Sequence, residues 1–308
     1  MKKTILVITG PTASGKTGLA IDCAKKFNGE IISCDSMQIY KHLDIGTAKA
    51  TIEEQSEVKH HLIDVVDPTQ DFSVQQFVSL AKIYIDDITS RNKLPVLVGG
   101  TGLYIKSLIY PYSFCGAPKN IQIREKYQEI LKEKGKEFLY NLLKQKDIKA
   151  CEKIHMNDTK RVIRALEIFD TTGTEKTKLN CEQLKPIYNV VFIVLNPDRE
   201  VLYNRINLRV DIMFEQGLLK EFDTVKQKFN LTRQHQSMQA IGYKELFDLV
   251  EAKTDIYQTA ELIKKNSRNY AKRQITFMKG FEEAKWFDPL NQKEEILNTI
   301  VKDLKKYD

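Results

Sequence analysis

The chain has 308 residues, 42% of them hydrophobic and 29% charged, the make-up of a globular protein with a real core; disordered, collagenous and disulfide-framework classes are excluded. Its 48 Lys and Arg against 41 Asp and Glu leave a formal net charge of +7, a mildly basic balance. Length predicts one large domain carrying an insertion, or two domains, because single cores stop growing near roughly 250–300 residues.

Residues 4–9 (TILVIT) form an unbroken β-branched apolar run ending in Gly10-Pro11, the pattern of a strand buried on both faces. Lys2 and Lys3 ahead of it resemble a secretory leader only superficially, since the run stops at Thr9-Gly10-Pro11. A helix follows, with Leu19, Cys23, Ala24 and Phe27 on one face and Gly29 expected as the glycine just past its end. Residues 30–34 (EIISC) predict a second strand and 62–66 (LIDVV) a third. Ser73-Val74-Gln75-Gln76 has capping-box spacing, and Val74, Phe77, Val78, Ala81, Ile85 and Ile88 make an apolar stripe behind it, so a helix starts there. Residues 94–98 (LPVLV), ending in Gly99-Gly100, predict another buried strand. Strands alternating with helices imply parallel pairing through right-handed crossovers, hence an α/β fold whose parallel sheet is covered by helices on both faces.

From 112 to 185 the texture changes to Lys- and Glu-rich helical segments, entered through Cys115-Gly116-Ala117-Pro118, with no strand in evidence. Residues 188–195 (YNVVFIVL) then resume the sheet, and Asn196-Pro197-Asp198 opens a helix. The domain reading is a core of 1–111 and 186–308 interrupted by a helical insertion, 112–185, much longer than an ordinary loop. The rest is helical apart from an edge strand near Lys285 to Phe287, in which Trp286 is expected to be buried. Tyr104, Tyr110 and Tyr112 are read as core and boundary aromatics. The 5 cysteines (Cys23, Cys34, Cys115, Cys151, Cys181) are odd in number and none lies in a CxxC pair, which suggests neither a disulfide framework nor a paired-Cys zinc site. No stretch approaches the roughly 20 apolar residues of a membrane span, so a cytoplasmic protein is expected.

The sequence Gly10-Pro11-Thr12-Ala13-Ser14-Gly15-Lys16-Thr17 satisfies G-x4-G-K-[ST] between a predicted strand and a predicted helix, the context of a P-loop. Its glycines let backbone amides wrap a diphosphate, Lys16 adds a point charge, and the Thr17 hydroxyl can ligate Mg2+. The loop says polyphosphate without saying which reaction. Asp35 ends the second strand in a setting, Ser33-Cys34-Asp35-Ser36-Met37-Gln38-Ile39-Tyr40, that gathers carboxylate, hydroxyl, amide and phenol where open α/β sheets bind ligands. It can hold metal, remove a proton or cap a helix.

Taken together, the motifs resemble the tRNA dimethylallyltransferases, also called tRNA isopentenyltransferases. GPTASGKT (10–17), SCDSMQIY (33–40), DIGTAK (44–49), HHLID (60–64), GGTGLY (99–104), DTKRVIRALE (158–167), RVDIMFEQGLLKE (209–221), SMQAIGYKE (237–245) and YAKRQITF (270–277) follow the order of that family from residue 4 to about residue 280. The resemblance implies transfer of a dimethylallyl group from dimethylallyl diphosphate to N6 of adenosine 37, beside the tRNA anticodon. It implies that Lys16, Thr17 through Mg2+, and Arg209 neutralise the departing diphosphate, and that Asp35 accepts the N6 proton. An apolar pocket near the P-loop should keep the allylic fragment from water. Asp35, Ser36, Met37 and Gln38 are implied to receive the extruded base, with Thr101 nearby and the Gln38 amide placed to read an adenine edge. For the RNA, the implied contacts are Arg124, Thr159, Lys160, Arg161 and Arg164, with Gln239, Gly242, Tyr243 and Lys244, in a protein expected to act as a monomer on the anticodon stem-loop.

Departures from the family pattern are small: Met156 stands where Pro is common, and Ile275-Thr276-Phe277-Met278 where Trp-Phe is usual at the last two positions. The paired Cys and His of the eukaryotic extension have no counterpart, so the resemblance is to the bacterial form. Lys264, Arg268 and Lys272 recur every four residues and read equally as a solvated helix face or an RNA contact. His60-His61 is read as structural, because consecutive strand residues point to opposite faces and no third ligand is apparent. Two other functions fit the P-loop: a small-molecule kinase using ATP, and a nucleotide-gated RNA-binding protein without chemistry.

Overall fold

The structure, a computed structural model, describes residues 2–111, 120–175 and 185–307. Tyr112, the Cys115-Gly116-Ala117-Pro118 segment and Cys181 lie outside the described residues. The chain divides into two compact units, Met1–Ile109 with Pro186–Asp308, and Tyr110–Lys185.

The first unit is built on six parallel strands: β1 (Thr4–Thr9), β2 (Gly29–Ser33), β3 (His60–His61), β4 (Leu94–Gly99), β5 (Asn189–Leu195) and β6 (Lys285–Phe287), in the order β3-β2-β4-β1-β5-β6. β1 is central, with Val7 opposite Leu97 on one side and Phe192 on the other. Ile5, Leu6, Val7 and Ile8 are all fully buried, which is why the run shows no polar alternation. Leu6 and Ile8 join one core cluster with Ala20 and Cys23 of α1 (Lys16–Lys26) and Ile296 and Ile300 of α12 (Lys293–Leu304). Ile5 and Val7 point to the opposite face. α3 (Val74–Ser90) and α4 (Gly102–Ile109) meet where Phe77 stacks on Tyr104, ring centroids 4.2 Å apart. The capping box at Ser73 forms as its spacing predicts, with Gln76 reaching back.

Three local expectations change. Gly29 does not close α1; the left-handed residue is Asn28, φ 50°, and Gly29 opens β2, where a Cβ would lie 2.7 Å from the Leu94 carbonyl oxygen. Residues 62–66 are not a strand: Leu62 and Asp64 take positive φ, 61° and 55°, which ends β3 after two residues. The chain runs instead beside the segment after β2, Asp64 donating to Gln38 O at 3.2 Å and Val65 to Ile39 O at 2.8 Å. Trp286 is half-buried on the edge strand, and Phe287 is the residue that faces the core. The second His of the pair, His61, is buried against Glu30, 2.8 Å from Nε2 to Oε2.

The remaining helices of this unit are α2 (Ile52–Glu57), α8 (Arg199–Glu215), α9 (Leu218–Lys228), α10 (Tyr243–Val250) and α11 (Ile256–Met278). The second unit is helical: α5 (Ile121–Lys146), bent at Gly135 with φ 79°, then α6 (Ile148–Lys153) and α7 (Thr159–Thr172). Its own core gathers Tyr127, Leu139, Leu143, Val162 and Leu166. Among the described residues no helix is long and apolar enough to cross a membrane.

Candidate active site

The loop from Gly10 to Lys16 turns out of β1 into α1 through backbone that few side chains allow. Gly10 has φ 148°, and a Cβ there would sit 2.3 Å from the Leu195 carbonyl oxygen. Gly15, φ 87°, caps α1, whose first turn carries no acidic residue, so the amides and the positive helix end face the loop uncompensated. Ser14 is fully buried, and its hydroxyl finds no partner among the described residues. An orphaned buried hydroxyl inside an amide cradle suits a ligand rich in hydrogen-bond acceptors. Lys16 folds back over the loop, its Nζ donating to Pro11 O at 2.6 Å.

Asp35 stands where β2 leaves the sheet. Its Oδ1 accepts from the amides of Met37 at 2.8 Å and Gln38 at 3.4 Å, which fixes the carboxylate and leaves its other oxygen outside these bonds. The next residue is tied to the turn after β4, Ser36 N donating to Thr101 Oγ1 at 3.1 Å. The two turns touch backbone to backbone: a Cβ on Gly99 would lie 2.3 Å from Cys34 O. Gln38 also has a structural task. Its Oε1 accepts from Ser33 Oγ at 3.2 Å, and its Nε2 donates to Thr47 O and Ala48 O at 3.3 and 3.1 Å. The Nε2 end thus holds the 44–49 loop, while Oε1, which keeps a second lone pair, meets β2 and the side chain lines the cavity described next.

These two regions open into one cavity of about 340 Å3. Lys16, Thr17, Asp35, Ser36, Met37, Gln38, Arg209, Gln239 and Lys244 line it, and its apolar wall comes from Ile206, Val210, Met213, Ile241 and Ile263. Tyr270, Arg273 and Gln274 of α11 and Gly46–Ala48 also line it. The sequence reading noted their segments, DIGTAK and YAKRQITF, without giving any of them a role; the recurring motif was the available signal. A second cavity of about 840 Å3 shares Lys16, Thr17, Arg209 and Met213 with the first. Burial, and after it the charge of Arg209, draws the Lys16 ammonium down to about 7, against an opposing pull from Asp35. Burial lowers Arg209 as well. Tyr270 is pushed up to about 12, first by burial and then by the negative field of Asp35.

The other expected RNA contacts divide. Tyr243 is fully buried, its hydroxyl donating to Glu221 at 2.5 Å, so it braces the site from within and offers no surface contact. Gly242, φ 103°, opens α10, with its amide on Glu245 at 2.8 Å. In the second unit Lys160 and Arg161 are exposed and Thr159 half-buried, while Arg124 and Arg164 converge on the buried Glu167 at 3.0 and 2.7 Å. The basic stripe also splits: Lys264 pairs with Asp211 at 2.7 Å and Arg268 bonds Asn207 at 2.5 Å, both tying α11 to α8, whereas Lys272 lies over the Tyr203 ring at 6.0 Å.

A parallel sheet whose first strand runs through a glycine-rich loop of P-loop sequence into a helix, beside an anchored carboxylate and an apolar wall, defines a protein of the P-loop class. Comparison with known proteins narrows this. The model of the IPP transferase family matches residues 38–281, and that of isopentenyl transferases matches residues 3–69. The chain belongs to the IPP transferase family. It is 46% identical to the tRNA dimethylallyltransferase of Thermoanaerobacter sp. over 97% of both chains, and 47% identical to that of Acetivibrio thermocellus over 98% of this chain and 96% of the other. Among solved structures it is similar to the tRNA isopentenylpyrophosphate transferase of Bacillus halodurans, with a TM-score of 0.73, 40% identity and coverage of 99% and 98%. It is also similar to a eukaryotic dimethylallyltransferase acting on tRNA, with a TM-score of 0.79, 32% identity and coverage of 93% of this chain and 74% of that one.

Proposed function

We propose that this protein transfers a dimethylallyl group from dimethylallyl diphosphate to N6 of adenosine 37 in tRNA, releasing diphosphate. The observation that carries this reading is the single cavity whose wall passes from the cationic loop, Lys16 and Arg209, across an apolar surface to the anchored carboxylate of Asp35. The names of the relatives supply the donor and acceptor that such a cavity suits.

In this reading the loop amides, Lys16 and Arg209 bind the diphosphate and offset the charge that grows as the allylic C–O bond breaks. Arg209 suits the task because a guanidinium can fork two oxygens. The N6 lone pair bonds to the allylic carbon, diphosphate leaves, and the N6 proton passes to Asp35, already held in place through Oδ1. Ile206, Val210 and Met213 exclude water from the allylic fragment. The Thr17 hydroxyl, a hard oxygen donor on the cavity wall, would hold Mg2+, which would supply further neutralisation of the leaving group. The adenosine reaches the cavity by leaving its stack, as targets of base-modifying enzymes do. Lys160 and Arg161, exposed on the helical unit, are proposed to grip phosphates of the anticodon stem-loop, and the enzyme to work as a monomer in the cytoplasm.

Mass spectrometry of unmodified tRNA incubated with the protein, Mg2+ and dimethylallyl diphosphate tests the proposal, with ATP in a parallel tube. A five-carbon gain on the adenosine 3′ of the anticodon, seen only with the prenyl donor, is the expected result. No gain with the prenyl donor, together with tight ATP binding, would turn the assignment toward a kinase.

A further inference from the structure

The end of β1 carries the diphosphate loop and the end of β2 carries Asp35, which the turn after β4 braces through Thr101; one face of α11 touches both the loop and that turn. Tyr270, Gln274 and Met278 recur every four residues and so lie in a row. Gln274 is 5% exposed; its Oε1 accepts from the Thr12 amide of the diphosphate loop at 2.9 Å, and its Nε2 donates to Gly100 O at 3.0 Å in the turn that carries Thr101. The Tyr270 hydroxyl lies beside Thr101 and Gln274, close enough for both to favour its ionised form. Met278 accepts from Thr9 Oγ1 at 3.5 Å, and Ala271 and Ile275 pack against Ala13. Thr101 in turn holds Ser36, the neighbour of Asp35. A continuous bonded chain therefore runs from the diphosphate loop through Gln274 to the residue beside the base.

We infer that Gln274 is a positioning residue that holds the diphosphate loop in register with the turn beside Asp35, so that the allylic carbon meets the acceptor nitrogen and not water. The inference rests on the prenyl-transfer reading above. The primary amide meets both demands from one planar group, an acceptor for the Thr12 N–H and a donor for the Gly100 carbonyl; an apolar side chain orphans both, and a carboxylate repels the second. Because the Thr12 amide is committed to Gln274, the anion is left to the later amides of the loop, which fixes where the breaking C–O bond lies. A displacement of about 1 Å in such a site costs on the order of 10²-fold in rate. With the register lost, water competes for the allylic carbon: the bond to diphosphate breaks, a bond to the water oxygen forms, its proton goes to solvent, and dimethylallyl alcohol and diphosphate result.

The test uses the full chain as wild type, Gln274→Met, Gln274→Leu and Tyr270→Phe, with tRNA, Mg2+ and dimethylallyl diphosphate. Diphosphate released and prenylated tRNA formed are counted in the same tube, inorganic diphosphate binding is measured by calorimetry, and folding is followed by thermal melting. Wild type should give one diphosphate per modified tRNA. The Gln274 variants should lose roughly 10–100-fold in transfer rate, keep their affinity for inorganic diphosphate, and release diphosphate in excess of modified tRNA. Tyr270→Phe, which removes one hydroxyl only, should fall between them and supplies the reading if the Gln274 variants do not fold. One-to-one stoichiometry in folded variants, or transfer that falls only in step with diphosphate affinity, overturns the inference. A wild type that forms no prenylated tRNA overturns the prenyl-transfer reading itself, and is thereby told apart.

Discussion

Lys16 and Arg209 line the same two cavities, and the guanidinium adds to burial in drawing the Lys16 ammonium from 10.5 down to about 7. The free loop thus loses its lysine charge as pH rises through neutrality, whereas a bound diphosphate favours the charged form. Inorganic diphosphate should therefore bind with proton uptake near and above pH 7, and its affinity should fall as pH rises through that value. Calorimetry in two buffers of different ionisation heat measures the uptake, and Lys16→Met should abolish it. The same depression has the opposite sign for folding. Between about 7 and 10.5 the unfolded chain binds more protons at this site than the folded one, so its contribution to stability rises with pH across that window.

Asp35 can be stripped of basicity while its anchor stays. Asn at this position keeps an Oδ1 for the Met37 amide, 2.8 Å away in the native turn, so the turn should hold. Asp35→Asn should lower kcat by about 10²–10⁴-fold, the usual range for removing a general base, and leave tRNA affinity unchanged. Near-normal turnover in this variant would remove Asp35 from the base role.

The sheet was legible in the residues because β1, β4 and β5 are buried on both faces and leave unbroken apolar runs. The glycine-rich loop between β1 and α1 was legible because its shape depends on neighbours in sequence, Gly10 and Gly15 above all. The failures share one cause, determination from a distance. Asp64 leaves the extended region in a segment where the buried Lys49 ammonium reaches Asp64 at 2.6 Å, Asp44 at 2.5 Å and Tyr40 O at 2.9 Å. Tyr243 is an implied RNA contact until its partner, Glu221, is placed and the ring proves fully buried. GGTGLY and YAKRQITF look like separate motifs, yet Gly100 meets Gln274 and Gly102 meets Phe277, so the two are halves of one contact that no local pattern joins.

Glu221 concentrates four donors on one carboxylate: the amides of Asp44, Ile45 and Gly46 at 2.9, 2.8 and 3.1 Å, and the Tyr243 hydroxyl at 2.5 Å. Tyr243→Phe keeps the packed ring and removes one bond to a charged acceptor, which predicts a loss of about 1.5–3 kcal/mol in urea unfolding. Gly46→Ala attacks the same contact from the other side, because its Cβ would lie 2.5 Å from the tyrosine ring. It should destabilise by about 1–3 kcal/mol through overpacking. Since the 44–49 loop walls the cavity and holds Gln38, both variants should also raise KM for tRNA.

Gly100 and Gln274 exclude one another's alternatives. A Cβ on Gly100 would stand 2.0 Å from Gln274 Nε2, so Gly100→Ala must push the amide off the Gly100 carbonyl. At Gly102 the obstacle is the Phe277 ring at 2.3 Å, but Phe277 is 39% exposed and can swing outward, so Gly102→Ala should cost less. Gly100→Ala should therefore lower both stability and transfer. Adding Gln274→Ala restores space without restoring either hydrogen bond. The double variant should regain part of its thermal stability over Gly100→Ala while prenyl transfer stays low and diphosphate release stays in excess. Recovery of one-to-one transfer in the double variant would mean that Gly100 acts through space alone, and that the register between the two loops is set elsewhere.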